Sequence, residues 1–177
     1  MKNGIIGIKL FVVLTIITGL IYPAFVTLIA QALFRAQANG DPYLIGQKFN
    51  QNKYFWSRPS AVDYNPLPSG GSNLSATSKS LKEIIEKRKA WLLASDLTKT
   101  EKQIPSDLLF ASGSGLDPHI SAAAALFQAD RVAKERKLDK RRVLELISKV
   151  IEGRQMFIFA EKRINVLKLN ESLDMNK

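Results

Sequence analysis

The sequence predicts an α+β protein, a small sheet carrying several helices, joined to one membrane-spanning helix. Three observations lead there. The run Leu10–Phe34, LFVVLTIITGLIYPAFVTLIAQALF, holds no charged side chain. Apolar residues recur at helical spacing in later segments, around 80–95, 121–137 and 139–153. Short runs of aromatic and branched residues lie beside those segments, with the composition of strands.

Residues 1–9 read as a short N-terminal tail, residues 10–34 as the transmembrane helix and residues 35–177 as one extracytoplasmic domain. At about 1.5 Å per residue the apolar run exceeds a hydrocarbon core of roughly 30 Å. Pro23, after Tyr22, removes one backbone donor and predicts a kink that neighbouring helices would repair. Gly19, with Thr15, Thr18, Thr27 and Gln31, is the kind of small or polar residue that packs helices in membranes. Ala30-Gln31-Ala32 has the form of a signal-peptide processing site, but an h-region of about 7–15 residues is much shorter than this run, which favours a retained anchor. The positive charges flanking the span nearly balance. Because long segments translocate largely regardless of charge, the expectation is N-terminus in, domain out, in the cell membrane.

The formal charge is +10. Lys2 and Lys9 are the only charges before the span, leaving 24 basic and 16 acidic side chains, a net +8, on the soluble part. Its basic residues are interleaved with Asp and Glu rather than gathered in an arm. Nucleic acid is therefore not expected as a partner, and anionic membrane lipids are the expected electrostatic neighbours. Absence of cysteine removes disulfides, thiolate metal sites and cysteine nucleophiles.

Within the domain, Tyr43–Phe49 and Tyr54–Trp56 are expected as short strands. The Pro-, Gly- and Ser-rich stretch 57–78 follows as a loop. Ser80-Leu81-Lys82-Glu83 has capping-box form, and Leu81, Ile84, Ile85, Trp91 and Leu92 share one arc, which predicts a helix over 80–95. Ser121 opens an alanine-rich helix to Lys137. Asp139 caps another, with Val143, Leu146, Ile147 and Val150 as its stripe and Gly153 as its stop. Met156–Ala160 and Arg163–Leu169 are expected strands.

The residues offer little catalysis. Ser114, Asp117 and the single histidine, His119, lie too close on a turn for a nucleophile, base and orienter, and too few ligands gather for zinc. His119 is expected to anchor a turn, with Asp117-Pro118 leading into the helix at Ser121. Neither standard phosphate-binding glycine motif is present. Ser69-Gly70-Gly71-Ser72-Asn73 and Ser112-Gly113-Ser114-Gly115 remain, either as anion nests or as tight turns. Arg58 could hold a carboxylate or phosphate, or an internal acceptor.

Several blocks carry a resemblance: Tyr54-Phe55-Trp56-Ser57-Arg58-Pro59-Ser60-Ala61, Tyr64-Asn65 and Ser69–Leu74; then Ile104–Leu109, Ala111–Ser121 and Arg131-Val132-Ala133; and Gly19–Pro23 and Asn165–Asn170. In this order over nearly the whole chain, they resemble the KdpC family, the C subunits of Kdp potassium-transporting ATPases. The resemblance implies an accessory, non-hydrolysing subunit of a high-affinity potassium uptake complex. Its implied partners are a P-type ATPase subunit, a potassium-channel-like subunit and a small membrane subunit. It further implies a catalytic-chaperone role, raising the ATP affinity of the hydrolysing subunit. No cofactor would be intrinsic, and ATP would come through that partner.

The family's signature residues here are Arg58, Pro59, Ser60, Asn65, Ser112, Gly113, Ser114, Gly115, Asp117, Pro118 and His119. Gly19, Tyr22 and Pro23 are the matching anchor residues. Ser69–Asn73 is the candidate nucleotide loop, comparable with the Ser-Gly-Gly signature of ABC transporters. It departs from that signature in having Pro68 before the serine and Ser72 after the glycines. Alternatives of other classes are an anchored extracytoplasmic enzyme and a membrane-anchored lipid- or envelope-binding module.

Overall fold

The computed structural model describes residues 2–35, 40–154 and 161–175. The chain divides into two units, Met1–Pro42 and Tyr43–Lys177. In the first, α1 (Lys2–Ile16) passes through a π-helical turn (Ile17–Ile21) into α2 (Tyr22–Leu33). Asn3–Leu33 is one helix long and apolar enough to cross a membrane. Pro23 accounts for the wide turn, since its ring clashes with the carbonyl four residues back. The Tyr22 amide accordingly donates to Ile17 O, five residues back. Thr15, Thr18 and Thr27 donate their hydroxyls to Phe11, Leu14 and Pro23 carbonyls at 2.7–2.8 Å, so these polar groups are satisfied within the helix.

The second unit is α+β. After α3 (Lys79–Ser95), strand β1 (His119–Ser121) leads into α4 (Ala122–Arg136) and α5 (Lys140–Val150). Strands β2 (Ile151–Glu152) and β3 (Arg163–Asn165) and helix α6 (Val166–Met175) complete it. The sheet is antiparallel, in the order β1-β3-β2, with Ile120 opposite Ile164 and Ile151 opposite Ile164 on its other side. Its core gathers Phe55, Ile120, Val132, Val143, Ile147, Ile164 and Leu169 around α4, the innermost helix.

Local chemistry explains the helix ends. Ser121 Oγ accepts from the Ala124 amide at 3.0 Å, and Asp139 accepts from the Arg141 amide at 2.7 Å, both as expected of N-caps. Lys137 closes α4 in the left-handed conformation, φ 56°. The expected helix over 80–95 is observed as α3, one residue earlier. Its N-cap is Ser78, so Ser80 lies within the first turn instead of capping it. Helix α5 ends at Val150, and β2 intervenes before Gly153.

Other expectations are corrected. Tyr43–Phe49 is not a strand: residues 42–44 form a 3-10 turn and the rest is irregular. Tyr54–Trp56 is not one either, because side-chain amides occupy the groups a neighbouring strand would bind. Asn170 accepts from the Phe55 amide at 2.8 Å and donates to the Phe55 carbonyl at 3.0 Å. Gln128 does the same for Trp56, at 2.8 and 3.2 Å. Buried backbone groups must be paired, and here two amides replace a ladder. Arg163–Leu169 is a strand only as far as Asn165, whose Oδ1 accepts from the Lys168 amide at 3.1 Å and starts α6. Burial of Val166, Leu169, Asn170 and Leu173 then follows helical spacing. The expected strand Met156–Ala160 lies outside the described residues.

Candidate functional site

The two glycine-bearing blocks, far apart in sequence, meet. The Arg58 Nη1 donates to Asp117 Oδ2 at 3.0 Å, and the Ser112 amide donates to the Pro59 carbonyl at 3.0 Å. The Gly70 amide donates to Ser114 O at 3.0 Å, while Gly71 is so placed that a Cβ would come within 3.2 Å of Gly113 O. Gly115 has φ +72°, and a Cβ there would meet Val62 Cγ2 at 2.5 Å and Gly70 O at 2.8 Å. Only glycine satisfies both the backbone angle and the close approach.

The hydroxyls of these blocks are largely spent locally. Ser60 Oγ accepts from the amides of Val62 and Tyr64, Ser112 Oγ from Gly115 and Ser114 Oγ from Leu116. Asn65 accepts from the Leu67 amide at 3.1 Å. The Tyr64 hydroxyl donates to Arg58 O, and burial pushes its pKa up to about 12 against the hydrogen bond with Ser57. Of the loop 69–73, Ser69, Ser72 and Asn73 are exposed, with Asn73 left-handed at φ 51°.

Beside this framework a polar groove of about 310 Å3 is lined by Arg58, Asp107, Asp117, His119, Ser121 and Arg163, among others. Asp117 Oδ1 accepts from the His119 amide at 3.0 Å, the turn expected from Asp117-Pro118, and β1 begins there. The His119 ring stands 3.5 Å from Asp117 Oδ1 and 3.6 Å from Glu152 Oε2. Burial would raise the Asp117 carboxyl, but hydrogen bonds from His119 and Arg58 hold it below the usual range. Glu152 is likewise lowered against burial, by Arg163 at 3.0 Å and Lys168 at 3.3 Å. Ser121, busy as the α4 cap, has its own amide bound by Asp107 Oδ2 at 2.7 Å. Among the described residues no group of three His, Asp or Glu is placed to hold a metal ion.

Gly46 escaped the sequence reading. Its amide donates to Leu116 O at 2.7 Å, and a Cβ would meet Asp117 O at 2.6 Å, so a third segment is laid against the second block. A glycine inside an apparent strand pattern is a signal of such close backbone approach. Gln128, at 1% exposure, and Arg131, at 3%, were also missed as polar core residues. Arg131 donates to Asn52 O, Tyr54 O and Gln128 Oε1, and burial pushes its pKa down to about 10.

Fold and site together define a class: an α+β domain of interlocked glycine loops that follows, in the chain, a helix long and apolar enough to span a membrane. The chain belongs to the KdpC family, the c chain of K+-transporting ATPases, whose family model matches residues 5–175. It is 46% identical over 179 residues to the potassium-transporting ATPase KdpC subunit of Leptospira interrogans (serovar copenhageni, strain Fiocruz L1-130), covering 96% of this chain and 92% of the relative. It is also 46% identical over 180 residues to the subunits of the same name from Burkholderia orbicola (strain MC0-3) and Polynucleobacter asymbioticus. Those matches cover 94% of this chain and 93% and 95% of the relatives.

Proposed function

We propose that this chain is a non-hydrolysing accessory subunit of a potassium-transporting P-type ATPase complex, stabilising its assembly and raising the ATP affinity of the hydrolysing subunit at a distance. The reading rests on family membership together with one observation. Residues of the two motif blocks bind one another, Arg58 to Asp117, Pro59 to Ser112 and Gly70 of the 69–73 loop to Ser114, as expected of a brace with a stiff shape. The partners on this reading are the ATPase subunit, the potassium-channel-like subunit and the small membrane subunit, with membrane lipids around the anchor. The soluble domain lies outside the cell membrane, where cytoplasmic ATP does not reach Ser69–Asn73. Its effect on ATP is then transmitted by linkage, through a conformational preference shared by the subunits.

Photo-crosslinking with an ATP analogue in the intact complex tests this. No labelling at 69–73 is expected, and deletion of the chain should weaken both assembly and ATP affinity. Specific labelling of that loop, competed by ATP, would restore direct nucleotide contact. An intact, fully active complex without the chain would defeat the accessory role itself. Gly19→Leu sharpens the anchor's part, because a Cβ at Gly19 meets nothing within 4 Å in the isolated chain. Loss of assembly in that variant reports a neighbouring helix.

A further inference from the structure

Of the 17 residues of helix α3 only Leu92 is fully buried, while Leu81, Ile84, Ile85 and Leu93 on its apolar side are half-buried. On this side Trp91 is 49% exposed. It is nevertheless held rigidly, because one ring face stacks on buried Trp56 at 3.8 Å between centroids, and Trp56 in turn packs against the Arg131 guanidinium at 3.5 Å. One turn earlier, at the i−3 position, stands Arg88. Its Nη1 donates to the Leu109 carbonyl at 2.6 Å, and among the described residues no carboxylate forms an ion pair with it. Burial lowers the Arg88 pKa, with Tyr64 the one opposing neighbour. Arg88 and Trp91, with Phe49, Pro59 and Tyr64, line a concavity of about 230 Å3 whose own carboxylate, Asp63, is engaged by Lys48.

We propose that this groove is the docking site for a carboxylate-bearing apolar segment of another subunit of the ATPase, the carboxylate meeting Arg88 and the apolar group lying on the open face of Trp91. The inference rests on the accessory-subunit reading above and names the surface through which it acts. Three properties select this occupant. A half-buried guanidinium without an acid is charge-complementary to a carboxylate, and Arg offers it a planar fork. The helix carries Lys79, Lys82, Lys87, Arg88 and Lys89 against Glu83 and Glu86, so the surroundings also favour an acidic partner. The volume is below the roughly 300–1,000 Å3 of small-molecule pockets and suits one or two side chains. A rigid aromatic beside an Arg in a concave site is the usual make-up of an interface hot spot. A bilayer surface would instead engage apolar side chains projecting from a convex helix face.

The test titrates the purified full-length chain, in detergent, into ATPase complex prepared without it. Arg88→Gln and Trp91→Ala should each weaken association at least about tenfold. Lys149→Gln, at an exposed position of α5 outside the groove's lining, should leave it within about twofold. Melting by circular dichroism, matching the parent, verifies each variant's fold. Independently, benzoylphenylalanine at position 91 in the intact complex should crosslink to a subunit peptide containing Asp or Glu beside apolar residues. A phospholipid adduct, or no adduct in an assembled complex, overturns the proposal, as does unchanged affinity of both variants. If the complex requires the chain yet tolerates both variants, the groove is wrong and the accessory role stands. If it does not require the chain, the failure lies in the functional reading.

Discussion

Helices α3 and α4 have similar lengths and opposite fates. Helix α3 carries the larger apolar residues, Leu81, Ile84, Ile85, Trp91 and Leu92, yet only Leu92 is buried. The alanine-rich α4 buries Ala124, Ala125, Phe127, Gln128, Ala129, Arg131, Val132 and Ala133. Small side chains let α4 approach its neighbours closely, and its two long polar residues are accepted because each binds backbone or another side chain within the core. Apolar content therefore does not decide which helix is central. What decides is whether the rest of the chain supplies a complementary surface, and for α3 it does so fully only at Leu92, leaving Leu81, Ile84 and Ile85 half-buried.

The largest effect should come from the α4 side of this contrast. Phe55→Ala, at a fully buried position held between Asn170 and the core, is expected to cost about 3–5 kcal/mol in denaturant unfolding. A loss below about 1 kcal/mol would show that the core can collapse around the gap. Gly115→Val should follow at about 1–3 kcal/mol, because the left-handed backbone and the contact with Gly70 O leave no room for a branched side chain. Survival of the parent melting temperature would contradict the interlock of the two glycine blocks.

Acid should act next. Asp117 and Glu152 are held below their ordinary pKa values in the folded domain, so the unfolded chain binds more protons as pH falls. Their stabilisation is present above the ordinary carboxylate value of about 4 and is lost as pH drops through their lower folded values. Thermal midpoints measured from pH 7 downward should stay level to about pH 5 and then fall, with a shallower fall in Asp117→Asn. An unchanged slope in that variant would remove Asp117 from the account. The smallest effect is expected on α3, where Leu81→Ser should alter stability by less than about 1 kcal/mol. A larger loss would mean that the face is held by its own domain and not reserved for a partner.

The legible parts of the fold were those whose causes lie within a few residues. Ser121 and Asp139 announce their helices because a cap acts on an amide two or three positions away. Gly153 was less informative, since β2 pairing with β3 takes over before it. The Asn165 switch from strand to helix was present in the sequence as burial spacing at 166, 169, 170 and 173, but a run of branched residues masked it. Of the site, the Asp117-Pro118 turn was legible, whereas the meeting of Arg58 with Asp117 was not.

By itself the sequence determined the membrane-length helix, the caps and stripes of α4 and α5, and the ordered motif blocks that mark the family. These are local properties, set by side-chain transfer to lipid or by hydrogen bonds along a short stretch of chain. Tertiary structure alone decided that Phe55 and Trp56 would be paired by the amides of Asn170 and Gln128. It also placed Gly46 under Asp117 and left Arg88 and Trp91 facing an open groove. Each of those outcomes depends on groups tens of residues away, up to 115 between Phe55 and Asn170. No periodicity or cap encodes such a distance, because the free energy that fixes it appears only when the core closes and every buried polar group must find its partner.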